Sequence, residues 1–176
     1  MLTIYGRKSS ANVQKVHWIC LEGNLEFKAI NIGGKYGGHT SPEFKQINPN
    51  STIPVIKDND FIIYESNSII KYISDKYNIL KSNNQKDIAL NNQWIDWASL
   101  VFGLQCATYT AHNMLLPVEQ RNPTTASETK KKIIRDFDSY EEYFKYARRL
   151  IYNISFFLFT NLQNIYQQGI PLDTGG

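Results

Sequence analysis

The stretch Asn48-Pro49-Asn50-Ser51-Thr52-Ile53-Pro54-Val55-Ile56, followed shortly by Tyr64-Glu65-Ser66-Asn67, constrains this chain more than any other. Two prolines frame a turn that runs into an apolar strand. A hairpin follows, with residues 54–57 and 61–64 flanking Asp58-Asn59-Asp60. The acidic-hydroxyl pair Glu65-Ser66 then opens an amphipathic helix over 66–77, with Ile69, Ile70, Ile73 and Tyr77 on one face. Together the two segments can build a site that pairs with a peptide backbone and holds a carboxylate. That chemistry suits a small peptide-like ligand.

The rest of the first eighty or so residues supplies a frame for this site. Leu2-Thr3-Ile4-Tyr5 reads as a strand ended by Gly6. Over 11–21, Val13, Val16 and Cys20 recur at helical spacing with Gln14 and Lys15 opposite, and Gly23 is expected to stop that helix at C′. Residues 27–32 form the next strand, and Gly33-Gly34 with Gly37-Gly38 makes a loop. Ser41-Pro42-Glu43 places Ser at the N-cap and Pro at N1 of a short helix. The order is β-α-β-(α)-β-β-α. A βαβ unit followed by a hairpin and a covering helix predicts a four-stranded mixed sheet, the thioredoxin-like arrangement, here without Cys-x-x-Cys.

Beyond a polar linker over 78–85 the chain reads as helical, with one long aromatic-studded helix over 88–114. An interruption over 117–123 follows. Thr125-Ala126-Ser127-Glu128 is expected as a capping box opening a helix that runs to about Phe144. The fold class is therefore α/β then all-α, with domains over 1–78 and 86–176.

Composition bounds the alternatives. At 176 residues with 20% charged residues and a net charge of +3, no nucleic-acid footprint is forced. The one dense basic cluster, Lys130-Lys131-Lys132, reads as the solvated face of a helix. No signal peptide is visible, and the apolar run 154–159 is far short of the roughly 20 residues of a membrane span. Cys20 and Cys106 stand far apart, which predicts a reduced, cytoplasmic setting and no disulfide framework.

Three motifs, Tyr5 through Val16, Asn48-Pro49-Asn50 through Ile53-Pro54-Val55, and Glu65-Ser66-Asn67-Ser68-Ile69-Ile70, occur in order and at matching separations. With them the chain resembles the cytosolic glutathione S-transferase family, and within it the bacterial nu- and theta-like branches, over roughly residues 1–144. The resemblance implies glutathione as ligand and co-substrate, no metal, a small electrophile or disulfide as second substrate, and a homodimer active in detoxification. No nucleic acid and no membrane are expected as partners.

It also assigns roles. An X-Pro bond is ordinarily trans, but the resemblance implies a cis bond at Ile53-Pro54, turning the Ile53 backbone outward to pair with the cysteinyl unit. Ser66, expected as N-cap, and the helix terminus behind it would bind the γ-glutamyl carboxylate, with Glu65 helping at the same moiety. His39 lies where theta-like members place a histidine near the glycyl carboxylate, with Lys35 an alternative. Ser10 falls where those members have a catalytic serine, and Asn12 matches the nu-like asparagine; Ser9 is adjacent. Arg121 resembles an arginine of the bacterial branch that reaches toward the active site.

The chemistry asked of Ser10 and Asn12 is definite. A glutathione thiol titrates near 8.5, and lowering that by roughly two units takes about 2.7 kcal/mol of thiolate stabilisation. A hydroxyl or amide hydrogen donated to sulfur beside a helix N-terminus can supply it. Ser and Asn are equally the ordinary caps of any helix, and His39 has an equally ordinary reading as a loop histidine. Trp94, Trp97, Phe102 and Tyr109 read as core or dimer contacts, while Tyr109 and His112 can also face a substrate cleft. The two cysteines read as buried and inert.

Residues 145–176 depart from the family pattern, because no Ser/Thr-x-x-Asp capping box occurs there. The expectation is an incomplete helical domain in which an internal segment is missing or out of frame. A longer uninterrupted reading frame lacking the 145–160 sequence would support it, and an intact relative with this same ending would refute it. Three functional hypotheses follow: a glutathione-dependent transferase or thiol-disulfide enzyme, a non-catalytic glutathione-binding or interaction module, and a plain thioredoxin-like reductase. The last is disfavoured by the absent cysteine pair.

Overall fold

A computed structural model describes the backbone of residues 1–146 and the side chains of residues 1–136. The atypical ending over 145–176 thus lies almost wholly outside the described residues. Two compact units are formed, Met1–Ser82 and a second that begins at Asn83.

The first unit runs β1 (Leu2–Tyr5), α1 (Ala11–Glu22), β2 (Phe27–Ile30), α2 (Pro42–Ile47), β3 (Val55–Asp58), β4 (Phe61–Tyr64) and α3 (Ser66–Tyr77). A 3₁₀ turn, Gly34–Tyr36, interrupts the loop before α2. The strands form one mixed sheet in the order β2-β1-β3-β4. β1 runs parallel to β2 and antiparallel to β3, and β3 pairs antiparallel with β4. This is the thioredoxin-like arrangement.

Alternation along β1 decides how the layers stack. Leu2 and Ile4 turn to one face, and Ile4 stands opposite Ile56 of β3. Both isoleucines are fully buried beneath Val13, Val16 and Ile19 of α1 and Ile69, Ile70 and Ile73 of α3. Each such side chain contributes about 1.5–3 kcal/mol on burial. Tyr5 points the other way and meets Phe44 of α2 edge-on, ring centroids 6.5 Å apart.

Three local expectations need correction. Gly23 follows α1 with φ −88°, outside the left-handed region, and Asn24 takes the positive φ of 50° instead. Gly23 is needed for space: a Cβ there would lie 2.1 Å from Cδ1 of Ile79. Lys15, expected on the polar face of α1, is 7% exposed because α3 packs over that side of the helix. β2 and β3 are shifted at their ends, β2 stopping at Ile30 and β3 starting after Pro54. A proline nitrogen has no hydrogen to give the ladder.

The end of β3 carries a buried charge. Asp58 accepts hydrogen bonds from Lys76, from the Tyr72 hydroxyl at 2.9 Å and from the Tyr77 hydroxyl at 3.3 Å. Burial alone would raise its carboxyl, but the Lys76 and Tyr72 hydrogen bonds outweigh that and hold it below its ordinary value. Asp58 thereby ties the hairpin to the C-terminal half of α3.

The second unit begins with α4 (Gln85–Trp97), a π-helical stretch (Ala98–Phe102), α5 (Gly103–Thr110) and a second π-helical stretch (Ala111–Leu115). Trp97, Phe102, Gly103 and Thr110 all keep right-handed helical angles. The single long helix expected is therefore one continuous run containing two wide turns. Trp94, Ala98, Phe102 and Cys106 bury one seam at steps of four. Such steps drift off one face of a 3.6-residue helix, and π turns let the seam stay in place.

That seam packs on Ala126 and Ile133 of α6 (Pro123–Tyr146). The Gln105 amide, donating to Asp136 at 2.8 Å, adds a polar tie. α6 opens two residues before the expected capping box. Asn122 accepts from the Thr125 N–H at 3.0 Å with Pro123 in the first helical position, so Thr125 lies inside the first turn.

Candidate functional site

Two helix starts meet in the first unit. The loop after β1 leaves the sheet at Gly6, whose N–H still bonds the Ile30 carbonyl at 2.9 Å. A side chain here would be strained and would force Val13 to shift, since a Cβ would lie 2.4 Å from Val13 Cγ2 and φ is +155°. The Ser10 N–H closes a turn on the Arg7 carbonyl at 3.1 Å. Ser10 then occupies the N-cap of α1 with extended angles, yet its side chain makes no capping hydrogen bond. Its hydroxyl is therefore not spent on its own helix. Ser9, beside it, is exposed.

Asn12 lies in the first turn of α1, and its Oδ1 accepts from the Ser66 hydroxyl at 3.3 Å. The carboxamide nitrogen is left as a donor. Ser66 is buried and is the first residue of α3; the N-cap is Glu65, correcting the assignment of the cap to Ser66. Glu65 adopts φ +69°, a costly region for a side chain bearing a Cβ. The chain turns sharply there, so the helix starts one residue later. The first-turn N–H groups of α3 are left without helical partners, where they favour an anion.

Lys15 lies one turn beyond Asn12 on α1. Its ammonium donates to Asn67 Oδ1 at 2.9 Å, in the same first turn of α3. Burial pushes its pKa down to about 8, with the Glu65 carboxylate acting in the opposite sense. Asn12 and Lys15 are three apart on a helix, hence on one side.

The proline turn is assembled from within. Asn48 is fully buried; its Nδ2 donates to the Thr52 carbonyl at 2.9 Å and its Oδ1 accepts from the Asn50 N–H at 3.0 Å. The Ile53-Pro54 bond is cis, as expected. Ile53 thus stands just before β3, with its backbone outside the strand pairing that starts at Val55.

The remaining candidates are placed separately. His39 is half-buried in the loop before α2, and its Nδ1 is buried without a hydrogen-bond partner among the described residues. No described contact joins it to Ser10, Asn12 or Ser66. Lys35 lies 5.2 Å from the centroid of the Tyr36 ring. Arg121 belongs to the second unit, where its Nε and Nη2 donate to the carbonyls of Leu116 and Met114, each at 2.8 Å. Tyr109, His112, Arg121 and Lys130 line a cavity of about 470 Å³ in that unit.

Cys20 and Cys106 are both buried, and burial pushes each thiol up to about 12. Neither can act as a nucleophile near neutrality. Among the described residues no group of three or more His, Cys, Asp or Glu could hold a metal ion, and no helix is long and apolar enough to cross a membrane.

Residues 4–85 match the family described as Glutathione S-transferase, N-terminal domain. The chain is 33% identical over 109 residues to glutathione S-transferase GstB of Escherichia coli K12, covering 56% of this chain and 50% of that one. It is 30% identical over 146 residues to glutathione S-transferase F7 of Arabidopsis thaliana, covering 80% and 70% respectively. This chain thus spans half the length of the bacterial relative. Among solved structures, the theta class glutathione S-transferase of Xanthomonas axonopodis pv. citri with glutathione bound superposes with a TM-score of 0.72. It is 26% identical and covers 77% of this chain and 66% of that one.

Proposed function

The chain belongs to the glutathione S-transferase family, and we propose that it binds glutathione and activates the thiol for conjugation to electrophiles or for disulfide reduction. The observation that carries this reading is the meeting of Ser66 with Asn12. It joins the starts of α1 and α3, which supports an anion site on one beside a hydrogen donor for sulfur on the other. The γ-glutamyl carboxylate takes the free N–H groups of α3 and the Ser66 hydroxyl, with Glu65 engaging the same moiety. The Ile53 backbone, beside cis Pro54, pairs with the cysteinyl unit, and His39 or Lys35 serves the glycyl carboxylate.

Ser10, flanked by Ser9, donates its unspent hydroxyl hydrogen to the sulfur, and the Asn12 amide supports it. The thiolate then forms a bond to an electrophilic carbon as that carbon's leaving group departs with its electron pair, or attacks a disulfide sulfur and expels the other thiolate. Arg121, whose guanidinium donates to carbonyls of the second unit, is assigned a supporting role in that unit.

Leu100 and Leu104, 67% and 59% exposed and four apart on the second unit's first helical run, fit a homodimer contact. Two unpaired cysteines accord with a reduced, cytoplasmic setting. The test is a calorimetric and ultraviolet titration of glutathione on the full chain. Binding with a thiol pKa at least about one unit below 8.5 supports the enzyme, and an unshifted thiol leaves only a binding module. Ser10→Ala should raise the bound pKa by about one unit and slow turnover about tenfold; no change in either would remove Ser10 from its role.

A further inference from the structure

The carboxylate site proposed above has an unexplained neighbour. Lys15 is buried, 7% exposed, on a helix where a solvent-facing lysine would have cost nothing. Its ammonium sits under the first turn of α3, 2.9 Å from Asn67 Oδ1, while Asn12 on the same side of α1 reaches Ser66. Two ties thus hold one helix start against the other. The Glu65 carboxylate, exposed at the cap position of α3, acts on that ammonium. A helix terminus offers only about half a charge, whereas a desolvated ammonium offers a whole one.

We propose that Lys15 is a positioning residue for the γ-glutamyl carboxylate of glutathione. It supplies a full positive charge from beneath the α3 terminus and, through Asn67, fixes the N–H groups of that turn. This rests on the glutathione reading. It adds a residue outside the surface that the ligand touches, acting by field and by Asn67, with no direct contact required.

The test uses the full chain and two ligands, glutathione and its analogue in which the γ-glutamyl α-carboxylate is a carboxamide. Lys15→Met should weaken glutathione binding about tenfold, the scale of one charge-assisted contact, and leave the carboxamide analogue within about twofold. Lys15→Arg should restore most of the loss. Asn67→Asp, which keeps the lysine but neutralises it locally, should show the same selective loss, and carries the test if Lys15→Met fails to fold. Equal loss for both ligands, or no loss for either, overturns the assignment and leaves Lys15 a structural strap. Failure of the wild-type chain to bind glutathione removes the parent reading and this one together.

Discussion

Lys15 carries a cost as well as a role, and the two can be separated. Its pKa is lowered from 10.5 to about 8, so the folded state resists the charged form by about 3 kcal/mol. Below pH 8 both folded and unfolded chains hold the proton, and the full cost is present. Between 8 and 10.5 the unfolded chain binds more proton than the folded one, so this contribution to stability rises with pH. Lys15→Met should therefore be more stable than wild type at pH 7 by about 1–3 kcal/mol. The gap should close as pH approaches 10.5, read from urea midpoints of the two proteins side by side. A variant that folds better and binds worse would separate function from packing.

Asn48 is the opposite case, a buried polar residue whose hydrogen bonds are satisfied inside one turn. Asn48→Ala strips the Thr52 carbonyl of its donor, and should cost about 2 kcal/mol in a thermal or urea melt. Glutathione affinity should fall with it, because the same turn presents Ile53.

At the scale of elements, α3 is anchored at both ends by different chemistry: Ser66 and Asn67 to α1, Lys76 and Tyr72 to Asp58. The Asp58 carboxyl is held below its ordinary value, so its stabilisation is present above the unfolded pKa and disappears as pH falls through the folded one. Asp58→Asn should flatten the acid limb of the stability profile below about pH 4 and loosen the hairpin. Hydrogen exchange across 55–64 would report it.

Element types and most boundaries were legible because β1, α1 and α3 keep clean apolar periods. What stayed hidden depended on neighbours distant in sequence. Gly23 has the sequence look of a stop signal, though its requirement comes from Ile79, and Lys15 looks solvated until α3 is laid across it. The π stretches were hidden because a four-residue apolar step looks like an ordinary helix in sequence. Ser10, Asn12, Ile53, Pro54, Glu65 and Ser66 are each proposed from local sequence motifs. The bond from Ser66 to Asn12 is not, since it spans two elements.

For the molecule as a whole, the exposed leucines of the second unit make an assembly prediction. Leu100→Glu with Leu104→Glu should shift a dimer to monomer in sedimentation, while glutathione binding by the first unit persists. A dimer of unchanged mass would move the contact elsewhere. The two cysteines carry a further consequence. A protein proposed to bind a thiol would also meet its disulfide, yet both cysteine thiols are buried, and burial pushes each up to about 12. Prolonged incubation of the folded chain with glutathione disulfide should leave its intact mass unaltered, until denaturant opens it. The packing that buries these two thiols would then also keep such an encounter from leaving a mixed disulfide on the chain.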